Sequence, residues 1–175
     1  MKKTRLEVNI DLHQPGKRAG DILLRWSDNV RPLGVYPVPI ACIIGEAGPT
    51  ALLIAGVHGD EFEGPVALSQ LIAEIEADQI VGRLIILPAF NCPAVLASER
   101  ISPLDGRNMN RAFPGDPDGG PTDMLADFLV SVLLPEADLV IDLHAGGKAS
   151  VFATSALASR SDDKNLMQAN LDLAK

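Results

Sequence analysis

The sequence predicts an α/β fold: a mixed, largely parallel sheet with helices on both faces. Two observations carry the prediction. Apolar runs bounded by turn residues, at 40–44, 51–55, 84–87 and 139–143, alternate with stretches of helical period at 65–77 and 122–134. The runs are apolar at consecutive positions, as expected of inner strands covered on both faces. At 175 residues, 47% of them hydrophobic, the chain is long enough to bury one substantial core.

Residues 1–36 differ from the rest. They carry short alternating stretches such as Leu6-Glu7-Val8-Asn9-Ile10 with Gly and Pro between them, and read as a β extension, a hairpin or edge strands, ahead of a domain at 37–175. Two long connections interrupt that domain, at 56–64 and 91–121. The second is rich in Gly, Pro, Asp, Asn and Arg and has no periodicity; a connection of that length in a compact domain is functional or disordered. Both follow strands, and sites in α/β sheets gather at the carboxyl ends of strands. Residues 161–175 begin like a capped helix, Ser161-Asp162-Asp163 followed by Leu166, Met167 and Ala169, and stop at Lys175, so the expectation is that the chain continues.

Composition excludes several classes. A net charge of -8 repels phosphate backbones, and no Lys/Arg cluster with interleaved aromatics offsets it, so nucleic acid is not an expected partner. No apolar run reaches the roughly 20 residues of a membrane span, and Met1-Lys2-Lys3 leads into no hydrophobic signal region. Cys42 and Cys92 lie far apart in apolar stretches and read as buried thiols. The expectation is a cytoplasmic protein without a membrane segment, and a homo-oligomer stays open.

Chemistry concentrates at three places. After the strand at 51–55 comes Gly56-Val57-His58-Gly59-Asp60-Glu61-Phe62-Glu63-Gly64, which puts an imidazole and a carboxylate three residues apart on a strand-to-helix turn. A catalytic zinc takes three N or O ligands from the protein and keeps one position open for water. His58 and Glu61 supply two, with Asp60 and Glu63 as alternative acids. His144 ends the run Leu139-Val140-Ile141-Asp142-Leu143, precedes two glycines and is the candidate third ligand. Asp142 shares a strand face with His144 and is placed to orient it. The third place is the loop Asp105-Gly106-Arg107-Asn108-Met109-Asn110-Arg111, whose guanidinium groups and amides suit a carboxylate.

At these residues the chain resembles the succinylglutamate desuccinylase/aspartoacylase family, relatives of the zinc carboxypeptidases. His-x-x-Glu, Asn-Arg and Asp-Leu-His occur in the family's order, across residues 45–147. Gly64-Pro65-Val66-Ala67-Leu68, Pro88-Ala89-Phe90-Asn91 and Asn110-Arg111-Ala112-Phe113-Pro114-Gly115 look most like the branch that includes N-acetyl-diaminobutyrate deacetylases. The resemblance implies a zinc-carboxypeptidase-like fold with one Zn2+ held by His58, Glu61 and His144. It implies that Asn110 and Arg111 bind the substrate carboxylate, aided by an upstream arginine, Arg107 or Arg100. The implied reaction is hydrolysis of the amide of a small N-acylated amino acid. The family's general-base glutamate falls beyond Lys175, so no residue of this sequence is matched to it. A zinc carboxypeptidase acting on peptides and a non-catalytic zinc- or carboxylate-binding protein are the rival expectations.

Overall fold

The computed structural model describes residues 3–29 and 34–175; residues 1–2 and 30–33, within the N-terminal stretch 1–36, lie outside the described residues. Each predicted apolar run lies within a strand: β3 (Val35–Ile44), β4 (Glu46–Ala55), β5 (Val81–Leu87) and β6 (Leu139–Leu143). The N-terminal stretch adds β1 (Glu7–Val8) and β2 (Gly16–Arg25). Together they form one mixed sheet in the order β1-β2-β3-β5-β4-β6. The sheet is mixed and not largely parallel as expected: β4 pairs in parallel with β5 and β6, whereas β1 with β2, β2 with β3 and β3 with β5 pair antiparallel. A run covered on both faces looks the same in either direction, so direction is not written in the apolar pattern.

Helices cover both faces. α1 (Glu63–Glu74) packs Leu68, Leu71 and Ile72 with Ala41, Ile43, Ala55 and Ile86 on one face. On the other, Met124, Leu125 and Phe128 of α3 (Pro121–Phe128) join Ile40, Leu52, Ile54, Ile85 and Leu87 in the larger core. Neighbouring residues of β4 and β5 thus point to opposite cores, which is why these strands are apolar at consecutive positions. The helical period read through 134 continues past α3 as a π-helical turn at Leu129–Leu133 and a 3-10 turn at Leu134–Glu136. The long connection 91–121 holds a short helix, α2 (Cys92–Ala97), and a 3-10 turn at Met109–Arg111. The last helix, α4 (Lys164–Leu173), is capped by Asp163, whose carboxylate accepts the Asn165 and Leu166 N–H groups.

Arg83 on β5 clamps the end of the sheet where that strand begins. Its guanidinium donates to Thr50 Oγ1, to the Leu12 carbonyl and to the carbonyl and carboxylate of Glu136. No helix among the described residues is long and apolar enough to cross a membrane. Cys42 and Cys92 are both buried thiols.

Candidate metal centre

Strand pairing brings the predicted ligands together. β4 and β6 are parallel neighbours with Ala55 opposite Leu143, so the loops that follow them leave the sheet side by side. His144 is the first residue past one strand and His58 the third past the other. Close backbone approach then sets the first loop. The Gly59 N–H donates to the Glu99 carbonyl, and a Cβ at Gly59 would lie 2.1 Å from the Ala94 oxygen, so only glycine fits against α2. Asn91, fully buried, donates from its side chain to the Val57 carbonyl and steadies the residue before His58.

Glu61 sits between the two histidines. Its Oε1 is 2.9 Å from His58 Nδ1 and accepts from Arg100 at 3.0 Å. Its Oε2 is 3.0 Å from His144 Nδ1 and accepts the Ala145 N–H at 2.9 Å. The imidazole centroids are 5.2 Å apart. His58 and Glu61 are buried, whereas the His144 side chain is 30% exposed, which leaves the centre open on the β6 side. The opposite nitrogens are also engaged: His144 Nε2 lies 2.8 Å from an Asp142 oxygen, and His58 Nε2 lies 3.2 Å from Asn108 Oδ1.

Charge states follow from these contacts. Burial, the largest influence on Glu61, favours its neutral form. The Ala145 N–H, His144 and His58 together outweigh it and hold the carboxyl below its ordinary value. For His144 the Asp142 carboxylate has the largest effect and, against burial, raises the pKa above the ordinary histidine value.

The donor set fits a divalent cation. One ligand atom from each of His58, Glu61 and His144 lies within 4.8 Å of the others, and two ligands of a tetrahedral zinc sit roughly 3.3 Å apart. Both nitrogens of His144 face carboxylate oxygens: a protonated ring donates to both, and a neutral ring with its proton on the Asp142 side turns the Nδ1 lone pair toward the centre, as a metal ligand does. A carboxylate behind a ligand histidine is the usual support of a metal-bound imidazole.

The remaining candidates are distributed as follows. Asp60 faces Gly147 instead of the histidines, with Oδ1 buried and without a hydrogen-bond partner among the described residues. Glu63 is exposed in the first turn of α1. Asn110 and Arg111 lie on the 3-10 turn beside Asn108, with the Arg111 side chain exposed and one of its nitrogens donating to the Asn110 carbonyl. Arg107 does not join the group, because its guanidinium pairs with Asp123 of α3. Arg100, the alternative, reaches Glu61. The sequence offers Asn108 only as one amide of a loop suited to a carboxylate, since no spacing rule links it to His58 fifty residues earlier.

Fold and site together define a mixed α/β protein with a candidate His-Glu-His metal centre at the carboxyl ends of parallel strands. A profile of the succinylglutamate desuccinylase/aspartoacylase catalytic domain matches residues 47–175, and the chain belongs to that family. It is 39% identical over 170 residues to the N-alpha-acetyl-L-2,4-diaminobutyric acid deacetylase of Halomonas elongata, covering 97% of this chain and 50% of that protein. A crystal structure of a succinylglutamate desuccinylase from Silicibacter sp. TM1040 superposes with a TM-score of 0.93 at 46% identity, covering 97% of this chain and 51% of its own. The product-bound ectoine utilization protein EutE from Ruegeria pomeroyi gives 0.81 at 46% identity, over 83% and 44%. The chain thus spans about half the length of the relatives it matches.

Proposed function

We propose that the protein is a zinc-dependent hydrolase that cleaves the amide bond of a small N-acylated amino acid. The observation that carries this reading is the convergence of His58, Glu61 and His144 in a chain of the desuccinylase/aspartoacylase family. The deacetylase of Halomonas elongata, named for an N-acetylated diamino acid, supports the substrate class. His58, Glu61 and His144 hold the metal, and Asp142 orients His144 through Nε2. When bound, zinc polarises the acyl carbonyl and lowers the pKa of a water molecule.

The protein's own groups do the positioning. The exposed guanidinium of Arg111, with Asn110, grips the substrate carboxylate and lays the amide over the centre. Arg100 adds positive charge beside Glu61 and takes the role left open between it and Arg107, which serves the loop by pairing with Asp123. Residues 37–175 are assigned to the N-terminal part of the catalytic domain. The buried thiols fit a cytoplasmic setting.

The test is product release. The purified full chain, given zinc and a panel of N-acetyl and N-succinyl amino acids beside short peptides, is expected to liberate free acid from the acylated amino acids and to leave the peptides intact. Cleavage of peptides alone would overturn the reading in favour of a carboxypeptidase, and hydrolysis of neither class in favour of a binding protein.

A further inference from the structure

We propose that Lys148 is a positioning residue of the metal centre. It latches the segment that leaves His144 to the end of α2, the element that already holds the His58 loop. The inference rests on the reading of His58, Glu61 and His144 as metal ligands, and deepens it by naming what fixes the segment of the third.

α2 ends in an unusual turn. Ser98 takes the left-handed conformation, φ 55°, at a position that glycine usually fills, and among the described residues no other residue but glycine has a positive φ. The Ser98 N–H donates to the Val95 carbonyl and the Glu99 N–H to the Ala94 carbonyl, which closes the helix end. A side chain persists in that conformation only where its surroundings fix it, and such residues gather at functional sites. Three consecutive residues of this turn reach three segments of the centre. The Ser98 carbonyl accepts from Lys148 Nζ at 2.7 Å. The Glu99 carbonyl accepts the N–H of Gly59, the residue after His58, at 3.0 Å. Arg100 donates to Glu61 Oε1 at 3.0 Å. Lys148 is thus the contact through which the segment after β6 joins a brace that already grips the segment after β4.

Little else holds that segment. Gly146 and Gly147 follow Ala145, and residues 146–150 close a turn on themselves through the Ser150 N–H and the Gly146 carbonyl, 3.1 Å apart. Among the described residues, the Lys148 side chain makes the one hydrogen bond that ties residues 146–150 to the rest of the fold. Asp60 lies beside Gly147, but its buried Oδ1 has no partner among the described residues and adds no bond there. The Lys148 ammonium also stands 6.0 Å from the ring centroid of Phe62, the residue after Glu61, within reach of a cation–π attraction. One side chain therefore spans from the His144 segment to the end of α2 and to the Glu61 turn. The Ala145 N–H, which donates to Glu61 Oε2, lies between His144 and this latch, and loss of the latch frees both together.

The experiment compares the full chain with Lys148→Met, which keeps an apolar stem and loses the donor and the charge, and with Lys148→Arg, which keeps both. Zinc affinity is measured by competition with a chromogenic chelator, and amide hydrogen exchange is followed by NMR in the metal-free protein. In Lys148→Met zinc is expected to bind about 3- to 10-fold more weakly, in line with one charge-assisted hydrogen bond at an exposed site. The Ala145 amide is expected to exchange about tenfold faster there, while the amides of β4 and β5 and the metal-free Tm stay at parental values. Lys148→Arg is expected to restore both readouts to within about twofold of the parent. Parental zinc affinity in Lys148→Met, or an Ala145 amide as protected there as in the parent, would overturn the proposal, and so would an Arg variant that behaves like Met. A parent that binds no zinc would bring down the metal reading, whereas exchange at Ala145 in the metal-free protein decides separately whether Lys148 holds the segment.

Discussion

Replacing Gly59 with alanine puts a carbon where the fold has none to spare. A Cβ at this position would lie 2.0 Å from the Ala94 carbonyl carbon, 2.1 Å from its oxygen and 2.4 Å from the Val95 nitrogen. All three are main-chain atoms of α2, which cannot swing aside as a flexible side chain would. Ordinary contact begins at 3.4 Å, so the loop has to retreat by about 1.4 Å in a close-packed interior. Overpacking of this kind costs about 1–3 kcal/mol, and backbone on both sides argues for the upper end. The Gly59 N–H bond to Glu99, 3.0 Å long, is lost in the same movement and adds about 1 kcal/mol. A total near 3–4 kcal/mol in a chain of this size lowers Tm by roughly 6–16 °C. His58 precedes Gly59 and moves with it, so zinc affinity falls at least about tenfold, since an ångström of misplacement is enough to spoil a positioned group. The assay is a thermal melt of the metal-free protein paired with a zinc titration. An unchanged Tm together with parental zinc affinity would refute the packing argument.

Other perturbations separate the remaining contacts. Asp142→Asn removes the carboxylate from His144 Nε2 and is expected to weaken zinc binding about 10- to 100-fold while the metal-free Tm stays put, measured by the same titration. Arg83→Leu strips donors from Thr50, the Leu12 carbonyl and Glu136, and a loss of about 2–3 kcal/mol in denaturant unfolding is expected from acceptors left unpaired. The hydrogen bond from Arg83 holds the Glu136 carboxyl below its ordinary value. A depressed carboxyl stabilises the fold above its unfolded pKa, and that contribution is lost as pH falls through the folded value. Glu136→Gln should therefore reduce the loss of stability between pH 7 and about pH 3, where the unfolded carboxyl titrates near 4.3. Burial pushes the Cys42 thiol up, so iodoacetamide at neutral pH should label it only after denaturation; rapid labelling of the folded chain would contradict its burial.

The sequence carries the sheet and the candidate ligands well because each leaves a local mark. Strands buried between α1 and α3 must be apolar at successive positions, and 51–55 and 84–87 are. His144 stands out because it follows such a run directly, and His58 because it lies three residues past one, in a turn with Glu61. The 91–121 connection hid its structure for the opposite reason. α2 has six residues, too few for a helical period, and it ends at Ser98 in a left-handed conformation. Strand order was also out of reach: β5 inserts between β3 and β4, which follow one another in the chain, and only long-range pairing decides that. That Arg107 is paired could not be read from the sequence, because its partner Asp123 lies in another element. Asn108 needed the loop to be folded back onto His58 before its contact existed.

The central claim is that His58, Glu61 and His144 hold one divalent metal ion, and the metal content of the purified full chain tests it most directly. Elemental analysis after dialysis against a weak chelator is expected to find about one zinc per chain in the parent and almost none in His58→Ala and His144→Ala. Zinc retained in full by both variants would contradict the account.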